Sequence, residues 1–389
     1  MSRMRYTPRL LERILRKAAR QFSAVILTGP RRSGKTTILK HLFPHASYVL
    51  LEDPDVVARL RADPHSFIDH LHPPVILDEI QNAPELLNYI RTIVDRAPSK
   101  KGNWLLTGSQ EAPLMRGVTE SMAGRAAILQ LLPLSHQEDS RVSWLKGGYP
   151  EALANPRGAA LWFQSYLQTY LERDVRALTA IRDLATFRRF LSLLASRTGQ
   201  ILNKTDIAAP LGVSVPTVSQ WLSILEVTGQ ILLIPPFFEN FGKRLIKSPK
   251  MYFLDSGLLC HVLGIDTLKA LMQSPFSGAI FEGFLASEIV KSQLNAGKRR
   301  EIYFFRDEQG LEVDFVIPTG PARLLFLEAK ATRTLRPEMA TPIERLTRAV
   351  KRYKVHSAVL GLASTDEAGA ALRSGTRAAS FEDLPSLLS

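Results

Sequence analysis

The sequence predicts an α/β protein: a parallel sheet flanked by helices, then a helix-turn-helix stretch, then a second α/β unit built on an antiparallel meander. Three observations predict it. Apolar runs of strand length alternate with helical patterns as far as Leu131. The stretch Gly29-Pro30-Arg31-Arg32-Ser33-Gly34-Lys35-Thr36 fits G-x-x-x-x-G-K-[ST] and stands between such a run and such a pattern. Near the end, Glu301–Arg306, Leu311–Ile317 and Leu324–Lys330 read as strands, with turns at Asp307–Gly310 and Pro318–Pro321.

In chain order, Arg13–Lys17 reads as an amphipathic helix leading into the apolar strand Phe22–Thr28. The glycines of the loop that follows let the backbone curl, so that successive N–H groups point at phosphate oxygens. Lys35 can reach β- and γ-phosphates, and the Thr36 hydroxyl can hold Mg²⁺. Thr37 opens the helical pattern Thr37–Phe43, whose N-terminus adds a partial positive charge to the set Gly29–Thr37. After the strand Ser47–Leu51, the apolar run Pro74–Ile80 carries Asp78 and Glu79. Asp78 suits water-mediated Mg²⁺ binding, and Glu79 suits polarising an attacking water. The strand Asn103–Thr107 runs into Gly108-Ser109, so the Thr107 and Ser109 hydroxyls are expected beside the phosphates. Arg125, just before the strand Ala126–Leu131, is the candidate to supply charge to a transition state, in its own chain or a neighbour's.

The chain has 389 residues, of which 45% are apolar, enough for two or three cored domains. The boundaries are expected at 1–152, 153–270 and 271–389. Cys260 is the single cysteine, which excludes an internal disulfide and suits a reducing, cytoplasmic setting. No apolar run reaches the length of a membrane span, and the basic start Met1–Arg5 is not followed by an apolar leader. The net charge is +13, and residues 1–40 carry eleven Lys/Arg against one acid, Glu12. Such a balance favours phosphate-rich partners, nucleic acid first among them.

In the middle of the chain, Leu161–Leu167 and Asp183–Leu191 read as helices. Leu202–Ala209, a turn at Gly212 and a helix from Val215 capped by Ser214 then form a helix-turn-helix pattern, with Pro216 tolerated in the first turn. Gln230–Ile234 and the basic Lys243–Lys247 suit a wing. Two readings stand: DNA contact through Thr217, Ser219 and Gln220, or a module that packs other domains together. In the last third, Glu328 and Lys330 are two apart and share a strand face, and Asp314 lies on the neighbouring strand. Glu282 sits on the preceding helix, above Leu285 and Ile289. Carboxylates beside a lysine can hold Mg²⁺ and position a water for phosphodiester attack. The alternative is a salt-bridged sheet edge.

The phrases LTGPRRSGKTT, VILDEIQNAPELL, WLLTGSQ, SMAGRAAILQLLPLS and GGYPEA make residues 22–152 resemble an AAA-type ATPase domain of the prokaryotic group related to STAND NTPases. The resemblance implies ATP and Mg²⁺ bound by Lys35, Thr36 and Asp78, with Glu79 as catalytic glutamate. It leaves open which arginine, if any, acts on a neighbour's ATP. The order helix acid, strand Asp, Glu-x-Lys over 278–365 resembles the PD-(D/E)xK nuclease, or restriction-endonuclease-like, fold, with Val313 where a proline often stands. Residues 155–389 resemble, as a unit with a winged helix, the domain of unknown function that accompanies this ATPase group; LERDVR, PPFFENFGKRLIKSPKMYFLDSGL, FEGFLASE and EVDFVI carry the likeness. The combined expectation is an Mg-dependent ATPase whose nucleotide state controls a winged-helix and nuclease-like half acting on nucleic acid. The rival is an ATP-dependent switch or assembly module that binds DNA, protein partners or further copies of itself, with an inactive nuclease-like fold.

Overall fold

The strand Ala24–Thr28 (β1) is buried at every position, as a central strand covered on both faces must be. The computed structural model in which it sits describes residues 6–108, 121–171, 184–237, 247–362, 372 and 375–388. The chain divides into two compact units. The first comprises Met1–Leu134 with Val227–Gly229 and Leu294–Lys298; the second comprises the rest.

In the first unit, helix Glu12–Gln21 (α1) precedes β1, and helix Lys35–Leu42 (α2) follows the phosphate-type loop. Then come Ser47–Leu50 (β2), Pro54–Ala62 (α3), Pro64–Asp69 (α4), Val75–Asp78 (β3), Leu86–Arg96 (α5), Trp104–Gly108 (β4) and Ala126–Gln130 (β5). All strands are parallel, in the order β2-β3-β4-β1-β5. Alternate residues of each strand serve opposite faces. Ala24, Ile26, Leu77 and Leu106 join the core under α3–α5, whereas Val25, Leu27, Ile76 and Leu105 join the core under α1 and α2. On α1, Leu15, Ala18 and Ala19 are buried, and Arg13, Arg16, Lys17 and Arg20 form the opposite, exposed stripe.

The second unit begins with Pro150–Ala154 (α6), Ala159–Tyr166 (α7) and Leu184–Ser196 (α8). Gln200–Ile201 (β6), Lys204–Leu211 (α9), Val215–Val227 (α10), Ile231–Ile234 (β7) and Lys250–Phe253 (β8) follow. The axes of α9 and α10 turn by 111°. Asn203 caps α9, and the Ser214 hydroxyl accepts the Thr217 N–H at 3.2 Å to cap α10. Pro210 lies inside the end of α9. β8 is central in an antiparallel sheet ordered β6-β8-β7. The sequence pattern does not show that strand; of the expected wing, Gln230–Ile234 contains β7, and of the basic Lys243–Lys247 only Lys247 falls among the described residues.

Ser256–Val262 (α11), Leu268–Gln273 (α12) and the long Ser277–Asn295 (α13) lead into a five-stranded sheet. Its strands are Tyr303–Arg306 (β9), Glu312–Gly320 (β10), Arg323–Ala329 (β11), Lys354–Gly361 (β12) and Arg377–Ser380 (β13). β9, β10 and β11 form the expected antiparallel meander, but β12 and β13 add to it in parallel, so the sheet is mixed. Pro318 falls within β10, at a register shift, where the sequence had placed a turn. Helix Thr341–Ala349 (α14) covers one face through Ile343 and Leu346, and Leu384–Leu387 (α15) ends the described chain. Pro235–Phe237 bonds to Phe304 of β9, which joins the three-stranded sheet to the five-stranded one.

Candidate functional site

The carboxyl ends of β1, β3 and β4 lie side by side, with Thr28 opposite Gly108 and Leu77 opposite Leu106. Ligands of open parallel sheets bind outside such ends. The loop Gly29–Gly34 leaves β1 there and enters α2. Gly29 has φ 140°, and a Cβ on it would stand 2.1 Å from the Leu131 carbonyl oxygen; Gly34, at φ 97°, occupies the N-cap of α2. The Ser33 side chain is fully buried, and its Oγ has no hydrogen-bond partner. Lys35, 6% exposed, folds back over the loop and donates to the Gly29 and Pro30 carbonyls at 3.0 and 2.9 Å.

Asp78, 4% exposed, is the hub of the site. Thr36 donates to its carboxylate at 2.9 Å, Tyr48 donates at 2.7 Å, and Thr107 donates from the end of β4. Tyr48 escaped the sequence reading. Its signal is register: it pairs with Ile76, two residues before Asp78, and its ring is long enough to cover that gap. Burial and the Asp78 carboxylate push the Tyr48 phenol above its ordinary value, which keeps it a donor. Glu79 adopts a left-handed backbone, φ 61° and ψ 49°, rare for a residue with a Cβ. Its N–H donates to Thr107 Oγ1 at 3.1 Å, and the Gln81 amide donates to its carboxylate. Lys35, Thr36, Asp78, Glu79 and Thr107 are thus brought together. Thr37 lies exposed in the first turn of α2, and Ser109 lies outside the described residues.

Arg125 is placed otherwise. It precedes β5, whose first residue pairs with Ala24 at the amino end of β1, so it stands at the sheet edge opposite the loop. Its guanidinium forks onto Asp95 of α5. The expectation that Arg125 acts on its own chain's phosphates is corrected by that position.

Another arginine, and a buried one, does reach the loop. Arg9, 7% exposed, donates to the Ser33 carbonyl at 2.9 Å and to the Leu132 carbonyl at 2.7 Å, and so fixes the loop from outside. Charge-assisted bonds of this kind contribute about 1.5–3 kcal/mol each. Arg9→Met is expected to raise the KM for a nucleoside triphosphate about tenfold or more while changing kcat less than about threefold. Steady-state turnover measures both; an unchanged KM removes Arg9 from this role.

The acids of the last third also converge, but around a residue the sequence reading did not single out. Lys250 of β8, with its side chain 3% exposed, donates to Glu282 of α13 at 2.8 Å, pairs with Glu312 and stands 3.6 Å from Asp314 of β10. Tyr252, two residues on, donates to the same Glu282 oxygen. β10 shifts register between Val313 and Val316, which sets the local aim of Asp314. The other Asp314 oxygen accepts the Ala329 N–H at 2.9 Å, and Lys330 donates to Glu328 at 2.7 Å. Burial works against the Lys250 ammonium, but Glu282, Asp314 and Glu312 outweigh it and hold its pKa up. Burial and the neighbouring Asp314 push Glu282 up to about 7 and Glu328 up to about 8. Among the described residues no group of three or more His, Cys, Asp or Glu is arranged to hold a metal ion. The expected Mg²⁺ set of Glu282, Asp314 and Glu328 with Lys330 lies in an ion-paired cluster, with the Lys250 ammonium standing among the carboxylates.

On α10, Gln220 is exposed, Ser219 is half-buried, and Thr217 is tied to Ser214 at 2.8 Å, so the expected DNA-reading face offers one free polar side chain and no cation. No single helix among the described residues is long and apolar enough to cross a membrane.

Residues 21–139 match the model of an AAA domain. Residues 137–269 and 277–372 match two domains of unknown function, DUF8612 and DUF4143. The chain is 33% identical over 328 residues to the uncharacterized protein Rv2008c of Mycobacterium tuberculosis, covering 82% of this chain and 73% of that one. It has the same identity and coverage with the uncharacterized protein Mb2031c of Mycobacterium bovis. Among solved structures, the Walker-type ATPase PABY2304 of Pyrococcus abyssi is similar at 16% identity and a TM-score of 0.46, covering 65% of this chain and 94% of that one.

Proposed function

The chain belongs to the family of these uncharacterized mycobacterial proteins and carries an AAA domain, and from that premise we propose that it is an Mg-dependent ATPase switch whose nucleotide state controls its carboxyl-terminal half. The observation that supports this most is the hub at Asp78. Three hydroxyls, from Thr36, Tyr48 and Thr107, converge on one buried carboxylate beside a glycine loop with a buried lysine. The residues suit a triphosphate and Mg²⁺: Ser33 Oγ is a buried polar atom with no partner, and the bond between Thr36 and Asp78 links the two side chains that would share Mg²⁺. The metal, when bound, would neutralise charge on the phosphates.

Lys35 leaves the Gly29 and Pro30 carbonyls to meet the β- and γ-phosphates. Glu79 takes a proton from the attacking water as the bond between the γ-phosphorus and the bridging oxygen breaks, and ADP departs with that electron pair. Thr107 bonds both Asp78 and the Glu79 N–H, so it can report the γ-phosphate to the glutamate. Arg125 keeps one role in this reading, on the ATP of a neighbouring copy. The three segments 1–152, 153–270 and 271–389 act as core, winged-helix module and nuclease-like domain, placed in the cytoplasm.

The partner in this reading is nucleic acid, and α1 supplies its surface. Arg13, Arg16, Lys17 and Arg20 are exposed at i, i+3, i+4 and i+7, and Glu12 pairs with Arg16 at 3.5 Å. Each phosphate contact contributes about 0.9 to the slope of log K against log salt. The double variant Arg13→Gln/Lys17→Gln is expected to flatten that slope by about 2 on duplex DNA, read by fluorescence anisotropy between about 50 and 200 mM salt. Replacing ADP by ATP should shift the affinity itself. Affinity indifferent to salt removes nucleic acid from the reading, and affinity indifferent to nucleotide removes the switch.

A further inference from the structure

The carboxylates brought together by α13, β10 and β11 are arranged around a cation that belongs to the chain. Lys250 sits on the central strand of its sheet, with Ile201 of β6 and Ile234 of β7 as its backbone partners, so its main chain cannot shift without breaking both ladders. Its side chain passes the Phe304 ring, with Nζ 5.6 Å from the centroid, and ends against Glu282, Glu312 and Asp314. Two of those three acids are residues whose types and order suit a divalent metal; the third, Glu312, is shared with Arg306 at 3.1 Å. A divalent ion on Asp314 and Glu282 would stand within a few ångströms of the ammonium, in a site where burial weakens screening. The two cations exclude each other. On the far side of Asp314, the buried Glu328 keeps one oxygen, Oε2, with no hydrogen-bond partner, although its other oxygen is held by Lys330. That free oxygen gives a metal an additional ligand once the ammonium is gone.

We propose that Lys250 is the resident cation of this cluster, standing where a divalent metal would stand, so that the carboxyl-terminal half binds such a metal only when Lys250 is withdrawn. The inference goes beyond the ATPase reading and does not depend on it. It separates the half's fold from metal-dependent phosphodiester cleavage: with Lys250 in place, the cluster is a neutralised network that locks β8, α13 and β10 together.

The test uses the full-length, nucleotide-free protein and Mn²⁺ alone, with bound ion counted by electron paramagnetic resonance. Lys250→Ala is expected to take up Mn²⁺ at least about tenfold more tightly than the wild type, a difference that a second change, Asp314→Asn, abolishes. Lys250→Arg, which keeps the charge, should behave as wild type. A folded Lys250→Ala protein that gains no Mn²⁺ overturns the proposal. Removing one partner of a buried ion pair destabilises strongly, so the alanine variant is also melted with and without Mn²⁺. The expected result is a melting temperature below wild type that Mn²⁺ raises and Asp314→Asn makes insensitive to the metal. Should no Lys250 variant fold, wild type against Asp314→Asn decides: equal Mn²⁺ uptake supports the resident ammonium, and uptake by the wild type that Asp314→Asn removes overturns it.

Discussion

Glu79→Gln is expected to bind Mg-ATP as tightly as the wild type and to hydrolyse it about 10²–10⁴-fold more slowly. The substitution changes one atom. A glutamine can keep the left-handed backbone, its N–H bond to Thr107 and a carbonyl oxygen facing the Gln81 amide, so the loop and the Asp78 hub are left as they are. What it cannot do is accept a proton from water. The strained backbone strengthens this assignment. A left-handed conformation with a Cβ costs about 1–3 kcal/mol and persists only where the surroundings impose it. Here the Thr107 bond and the turn Ile80–Asn82 impose it and aim the side chain off the end of β3. Fluorescent-nucleotide titration and single-turnover phosphate release measure the two halves of the expectation. Phosphate release at the wild-type rate takes the role of base away from Glu79.

The parts of the site legible in the sequence are those whose chemistry is local. Gly29–Thr36 can be read because the loop needs its glycines and lysine at fixed spacing, and Asp78-Glu79 because acids at the end of an apolar run stand out. Tyr48 and Arg9 could not be read that way. Each reaches the site from another segment, along a parallel register or across 24 residues of chain. Lys250 shows the same limit more strongly. In sequence it is one basic residue in a basic stretch; only the pairing of β8 between β6 and β7 and the packing of α13 put it among three acids. The phrases GGYPE and LDSGL, read as marks of a family, prove to serve each other. The Gly148 N–H donates to Asp255 at 2.7 Å, and a Cβ on Gly257 would stand 2.2 Å from the Lys146 carbonyl oxygen. Their glycines answer to close packing. β12 and β13 were missed because parallel strands follow long connections, whose pairing no local turn announces.

Lys35→Ala is expected to weaken ATP binding by about two orders of magnitude or more, since truncating a buried, hydrogen-bonded charge costs about 2–5 kcal/mol or above. In the present arrangement the ammonium is spent on the loop's own carbonyls, Gly29 and Pro30, at 3.0 and 2.9 Å. Binding therefore exchanges those two bonds for phosphate oxygens, and the net gain comes from meeting anions in a site where Lys35 is only 6% exposed. The same posture sets the control. Alanine also leaves the two carbonyls without that donor, so some loss of loop order is expected even without nucleotide. A loss that comes only from loop disorder should weaken AMP and ATP alike, whereas a loss of phosphate charge should fall on ATP and ADP and spare AMP, which has no β- or γ-phosphate for the lysine to reach. Titrations with the three nucleotides, beside the melting temperature of the free variant, separate the causes. Full ATP affinity in Lys35→Ala overturns the nucleotide site itself, and with it the switch that depends on it.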